Sequence, residues 1–177
     1  MPNAFAATPR VSKLRLTYLF ALLTAVLALG GYGYHLYALF QDAQRTKPQP
    51  QVERLIKDLR SFHTQTRSFP ASFVELNERL WHKQPPPDYG ANGRTAHTRN
   101  YEYRYTRVNA DTCAFWTLPT GPRRHYAAAY FVVVAPQWLR VWRGKALRDE
   151  QMERLPEVPA PRALAELGLA EVPTRHR

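Results

Sequence analysis

The chain has 177 residues, with 25 Lys+Arg against 14 Asp+Glu and a formal net charge of +11. Hydrophobic residues make up 45% and charged residues 22%, which excludes a disordered polyelectrolyte and a multi-span membrane protein. The single cysteine excludes an intramolecular disulfide framework and a zinc ribbon or finger, so stability has to come from packing.

The apolar residues are spread unevenly. From Leu16 to Phe40 the chain runs 25 residues without Asp, Glu, Lys or Arg. As a helix this run is about 37 Å long, enough to cross a hydrocarbon core of about 30 Å. A single transmembrane helix over 16–40 is expected, preceded by a basic arm, 1–15, that carries Arg10, Lys13 and Arg15. The Lys/Arg counts of the two flanks tie, so orientation rests on the short basic arm, which reads as a signal-anchor. This places the N-terminus inside a bacterial inner (cytoplasmic) membrane and exports the larger C-terminal part. Ala28-Leu29-Gly30 offers the competing reading of a cleaved signal peptide, but the apolar run continues ten residues further, to Phe40. Tyr32, Tyr34 and Tyr37 mark the far interface.

Two features of the span bear on partners. Thr17, Ala21 and Ala25 recur every four residues, a small-residue stripe along which a second membrane helix can approach; alanine as ordinary filler explains it equally. His35 is the one strongly polar side chain of the segment, either a snorkelling imidazole among interfacial tyrosines or a ligand to a metal or pigment.

After Phe40 the chain still carries 22 Lys+Arg against 14 Asp+Glu, a net +8. Pro48 and Pro50 predict a stalk over 41–50. Val52, Leu55, Ile56, Leu59 and Phe62 then fall on one face of an amphipathic helix. Ser68-Phe69-Pro70 ends it, and Ser72 with Glu75 forms a capping-box pattern ahead of a second short helix through Leu76, Leu80 and Trp81. Pro85 to Gly93 reads as a turn-rich loop. Four antiparallel strands follow, Asn100–Arg107, Cys113–Leu118, Tyr130–Ala135 and Leu139–Arg143, with Tyr130–Ala135 expected at the centre. Pro161 and Gly168 bracket a short closing helix around Leu164 and Leu167, and Thr174–Arg177 is expected to fray. The fold class is therefore α+β, a 51–148 domain with a Pro-rich C-terminal segment at 149–177.

This order of membrane helix, amphipathic helix, loop and meander resembles type IV pilins and the pseudopilins of type II secretion. The stretch Leu59-Arg60-Ser61-Phe62-His63 through Phe69-Pro70 to Leu76 is similar to the place where the pseudopilin helix ends and its loop begins. The resemblance covers residues 14 to 145 and implies a pilin-like exported domain. The prepilin Gly-Phe cleavage site and the glutamate of the mature helix are absent, where this chain reads Lys13-Leu14-Arg15-Leu16-Thr17. The resemblance thus implies a pilin-like domain on a plain anchor.

No catalytic signature accompanies this layout. The six histidines show no His-x-x-x-His or His-Glu pairing, no serine sits in a Gly-x-Ser-x-Gly elbow, and no glycine-rich loop precedes a lysine. Cys113 reads as a small core residue. No enzyme activity, cofactor or metal is expected. Two surface candidates remain. Arg104, Arg107, Arg123 and Arg124 head a set of arginines on the sheet and its loops, among 20 arginines in all. Such a face holds an acidic protein, anionic lipid or nucleic acid, or is simply solvated. Tyr101, Tyr103 and Tyr105 form either a stacking platform or a stripe packed on the helix. The leading expectation is a non-catalytic, single-pass structural or interaction protein of a secretion, pilus or DNA-uptake assembly. The alternative is an accessory subunit of a respiratory or photosynthetic membrane complex.

Overall fold

The computed structural model describes residues 13–45, 48–82, 88–122 and 124–173. The chain divides into two compact units, Met1–Arg45 and Thr46–Arg177.

Among its described residues the first unit is one helix, α1 (Lys13–Arg45). Its stretch Phe20–Leu39 is long and apolar enough to cross a membrane, and its side chains from Phe20 to Ala38 are exposed. The helix outlasts the apolar run because Gln41 to Arg45 are adequate helix formers. Residues 41–45 are therefore helical rather than a stalk, and Pro48 to Pro50 already belong to the start of the next helix; 46 and 47 lie outside the described residues. Most of the basic arm, residues 1–12, lies outside the described residues.

The second unit opens with α2 (Gln49–Thr66), for which Pro48 is the N-cap and Pro50 occupies the first turn. There a missing N–H costs nothing. Its buried residues are Val52, Leu55, Ile56, Leu59 and Phe62, the face drawn from the periodicity. The helix ends at Arg67, left-handed at φ 62°, whose N–H donates to the His63 carbonyl at 2.8 Å. Phe69 then anchors the exit, fully buried, with its N–H donating to the Ala110 carbonyl. Half of the expected capping box forms: Ser72 Oγ accepts the Glu75 N–H at 3.3 Å, while Glu75 Oε2 accepts, at 2.6 Å, the N–H of Ala71, the residue before the N-cap, in place of that of Ser72. The helix it starts, α3 (Phe73–Leu76), runs on as a π-helical turn over Asn77–Trp81.

The sheet has seven strands, not about four. They are β1 (Asp88–Tyr89), β2 (Thr95–His97), β3 (Tyr101–Asn109), β4 (Thr112–Pro119), β5 (Ala128–Val134), β6 (Leu139–Lys145) and β7 (Ala170–Val172), antiparallel throughout and ordered as in the sequence. Three short strands account for the difference. β1, within the expected loop, and β2, between that loop and the strand expected from Asn100, form a hairpin, and β7 lies in the C-terminal segment. Consequently β4, not β5, is the middle strand.

Both sheet faces are covered. On one, Tyr101, Tyr103, Tyr105, Cys113, Phe115, Tyr130, Val132 and Val134 pack with the apolar side of α2. On the other, Ala114, Trp116, Leu118, Phe131 and Trp142 pack with Leu147, Met152, Leu164 and Leu169. These last four come from the end of the chain, which holds α4 (Asp149–Glu153) and α5 (Pro161–Glu166). Residues 149–173 thus complete the core rather than standing apart from it, and α5 is bracketed by Pro161 and by Gly168 at φ 78°. Residues 174–177 lie outside the described residues.

Gly144 marks where that cover closes on β6. A Cβ there would lie 2.6 Å from the Gly168 carbonyl oxygen and 3.0 Å from Leu169 Cγ. Gly144→Ala is therefore expected to destabilise the protein by about 1–3 kcal/mol through overpacking, read as a lower denaturant midpoint. An unchanged midpoint would mean that the β6–Gly168 approach is not tight.

Candidate interaction surface

Of the four arginines singled out from the sequence, the three described ones, Arg104, Arg107 and Arg124, do not form one patch. Arg104 leaves β3 on the second sheet face, where its Nη1 donates to the Met152 carbonyl at 2.6 Å and its Nε to Glu102. Arg107, near the far end of β3, donates to the Phe69 carbonyl at 3.4 Å. Arg124 makes a two-pronged pair with Asp149, with Nη2 to Oδ2 at 2.8 Å. Arg123 lies outside the described residues.

Arg104 and Arg124 share one task. Together with Trp116 Nε1, which donates to the Pro156 carbonyl at 3.1 Å, and Thr106 Oγ1, 3.3 Å from Glu157 Oε2, they strap the α4 segment across the second face. Their geometry explains the choice of residue: a guanidinium offers several donors in a fixed fork and can satisfy carbonyls that no ladder reaches. Arg60 works the same way elsewhere, donating to the Ala135 and Trp138 carbonyls at 3.3 and 3.1 Å.

Tyr101, Tyr103 and Tyr105 are buried under α2. The Tyr105 hydroxyl donates to the Pro70 carbonyl at 2.6 Å and the Tyr103 hydroxyl to Gln51 Oε1 at 2.7 Å. Cys113 is fully buried beside Tyr105. Thr17, Ala21 and Ala25 lie along α1, as does the exposed His35. Among the described residues no group of three or more His, Cys, Asp or Glu is placed to hold a metal ion.

The strand register brings together residues that sequence reasoning passed over. Tyr101 pairs with Pro119 and Ala128 with Lys145. The β2–β3 connection, the β4–β5 connection and the β6–α4 junction therefore emerge at one end of the sheet. The Thr120 N–H donates to the Asn100 carbonyl at 2.8 Å and joins two of them. This end exposes Arg99, His125, Tyr126, Lys145 and Arg148. Tyr126 is 85% exposed, with its ring centroid 4.0 Å from that of His125. The opposite end carries the β3–β4 and β5–β6 turns with the end of α2, where His63 Nε2 lies 2.9 Å from Asp111 Oδ1. The basic loop residues are visible in the sequence; that they share an end needs the register.

Two measurements test this description. Arg104→Ala is expected to cost about 1–3 kcal/mol, since it removes a charge-assisted bond and leaves a carbonyl unpaired, with faster proteolysis within residues 148–157. Wild-type resistance there would show that Arg104 does not hold the strap. Alkaline pH tests the tyrosine face. Burial pushes the Tyr103 phenol up to about 12 and the Cys113 thiol from 9.0 to about 12, and it raises Tyr101 and Tyr105 as well. The folded state keeps these protons while the unfolded chain loses them. Stability is thus fully present below pH 9 and falls as pH rises past 9 and 10 toward 12. Denaturant midpoints at stepped pH, with tyrosinate absorbance, should show late ionisation coincident with unfolding; free titration of every tyrosine in the folded state would refute the burial.

No protein-family model, no curated protein and no solved structure matches the chain.

Proposed function

We propose that the chain is a non-catalytic, single-pass membrane protein whose pilin-like C-terminal domain is exported and serves as a structural or interaction module of a secretion, pilus or DNA-uptake assembly. The observation that carries the reading is α1, a helix that over Phe20–Ala38 has no Asp, Glu, Lys or Arg and whose side chains there are exposed. Such a helix needs a lipid or protein environment to cover it. The layout of the second unit supports the pilin-like part, since an amphipathic helix lies on a consecutively ordered antiparallel meander. Several polar side chains in and around its core join elements: Tyr105 to Pro70, Trp81 Nε1 to Asp58 Oδ2 at 2.6 Å, and Arg104 to Met152. This is the economy of a scaffold.

The full chain, tagged at either end and expressed in a bacterial host, is expected to stay in the membrane pellet through alkaline carbonate extraction. Protease added to spheroplasts should remove the C-terminal tag and spare the N-terminal one. The reverse digestion would overturn export of the domain. In its native host, purification in mild detergent through the C-terminal tag should recover secretion or pilus components without a chromophore; a stoichiometric pigmented or respiratory complex would replace this reading with that of an accessory subunit, and His35 would become the residue to substitute.

A further inference from the structure

We infer that the sheet end bearing Arg99, Tyr126, Lys145 and Arg148 binds anionic lipid headgroups at the surface of the membrane that α1 crosses. The inference rests on reading α1 as a span and adds to it a second, peripheral contact.

Three observations carry it. The first is direction within the second unit. The first turns of α2 lie toward this end, with Gln51 accepting the Tyr103 hydroxyl, whereas Arg60 and His63 tie its later turns to the β5–β6 and β3–β4 turns at the opposite end. The second is covalent. Arg45 ends α1 and Gln49 begins α2, a tether of at most about 15 Å at ~3.8 Å per Cα step whatever angle the two units adopt. The opposite end is a further helix length along the chain, about 27 Å for 18 residues. The end with the basic loops is therefore the end at which the chain coming from α1 enters the second unit.

The third observation is chemical. Arg99, Lys145 and Arg148 are exposed, and among the described residues no ion pair engages them. Arg143 adds a cation stacked 5.7 Å over the Tyr130 ring. The exposed acids toward this end include Glu53, Asp88 and Glu150; Asp149 is already paired with Arg124 and Glu166 with Arg162. Between these cations stands Tyr126, the most exposed large hydrophobic side chain among the described residues, exceeding even the tyrosines of α1. It sits on a short 3₁₀ turn, Arg124–Tyr126, which the Arg124–Asp149 pair fastens to α4. An amphipathic ring flanked by cations is the composition that settles in the headgroup layer of an anionic leaflet, where the ring takes the interfacial position and each nearby Lys or Arg adds attraction. An acidic protein would use the charges but not the ring, whereas a nucleic acid could stack on it; entry of the chain from α1 at this same end favours the lipid.

The test uses the full chain in nanodiscs of phosphatidylcholine alone or with phosphatidylglycerol, followed by amide hydrogen exchange. Peptides covering 98–100, 120–127 and 145–149 should exchange several-fold more slowly with phosphatidylglycerol present, and 0.5 M salt should remove much of the difference by screening. The turns at 108–111 and 136–138 should not respond. The triple variant Tyr126→Ser, Lys145→Gln, Arg148→Gln should abolish the lipid effect while β4 amides keep their protection, which reports intact folding. Equal exchange in both lipids, from a chain that resists carbonate extraction, would overturn the inference and leave the anchored reading standing. Release by carbonate would overturn both. Stronger protection of the same peptides by polyglutamate or an oligonucleotide in neutral nanodiscs would reassign the surface to an acidic macromolecule.

Discussion

The second unit depends on the double burial of β4. Cys113 to Pro119 are all buried, with Cys113, Phe115 and Thr117 on one face and Ala114, Trp116 and Leu118 on the other. An antiparallel strand with one wet face alternates apolar and polar residues; one that does not must be covered twice. α2 is the first cover and residues 147–169 are the second. The second face carries the larger rings, with Trp116 4.7 Å from Phe131 and Phe131 5.7 Å from Trp142, both pairs tilted. Rings of this size contribute roughly 2–3 kcal/mol each when removed from water, so the strap is a condition of the fold.

Covering that face required a polar solution. α4 and α5 are of five and six residues, too short to stand alone as helices. Between them runs irregular chain whose carbonyls no ladder satisfies. The donors come from the sheet beneath: Arg104 to Met152, Trp116 to Pro156. This accounts for part of the positive charge. Arg60, Arg104 and Arg107 spend donors on backbone carbonyls, and Arg124, Arg140 and Arg162 on carboxylates. A basic composition by itself therefore says little about binding, and the cations outside such contacts are the informative ones.

These contacts also explain what the sequence disclosed. α2 was legible because its five buried residues repeat at helical spacing and pack on one partner. The Ser72–Glu75 cap, the tyrosine alternation of β3 and the Pro161 and Gly168 brackets were legible because each is a local rule. β1, β2 and β7, of two, three and three residues, were not, since strands so short take their conformation from a neighbour's ladder. The strap was hidden in the same way: Leu147, Met152 and Leu164 show no shared period, and only the uncovered Trp116 and Trp142 call for them. For the surface, residue types were legible and grouping was not, because pairing places Arg99 and Lys145 at one end although 46 positions separate them.

The two units answer one physical demand in opposite ways. The domain hides nearly all its rings; Trp116, Phe62, Phe69, Phe73, Phe115 and Phe131 are almost wholly inaccessible. Among the described residues α1 hides none of its own, leaving Phe20, Leu22, Leu23, Val26 and Leu27 more than half exposed. At about 25 cal/mol per Å² such a helix is unstable in water, and its 20-residue apolar stretch is the length a bilayer accommodates. Tyr126 belongs with α1 in this respect. It is a domain ring left in the open on a fastened turn, beside cations that no carboxylate has taken. Apart from Trp138, 42% exposed in the β5–β6 turn, the domain buries or half-buries its other phenyl, phenol and indole rings, and it exposes this one at the end of the sheet where the chain from α1 enters.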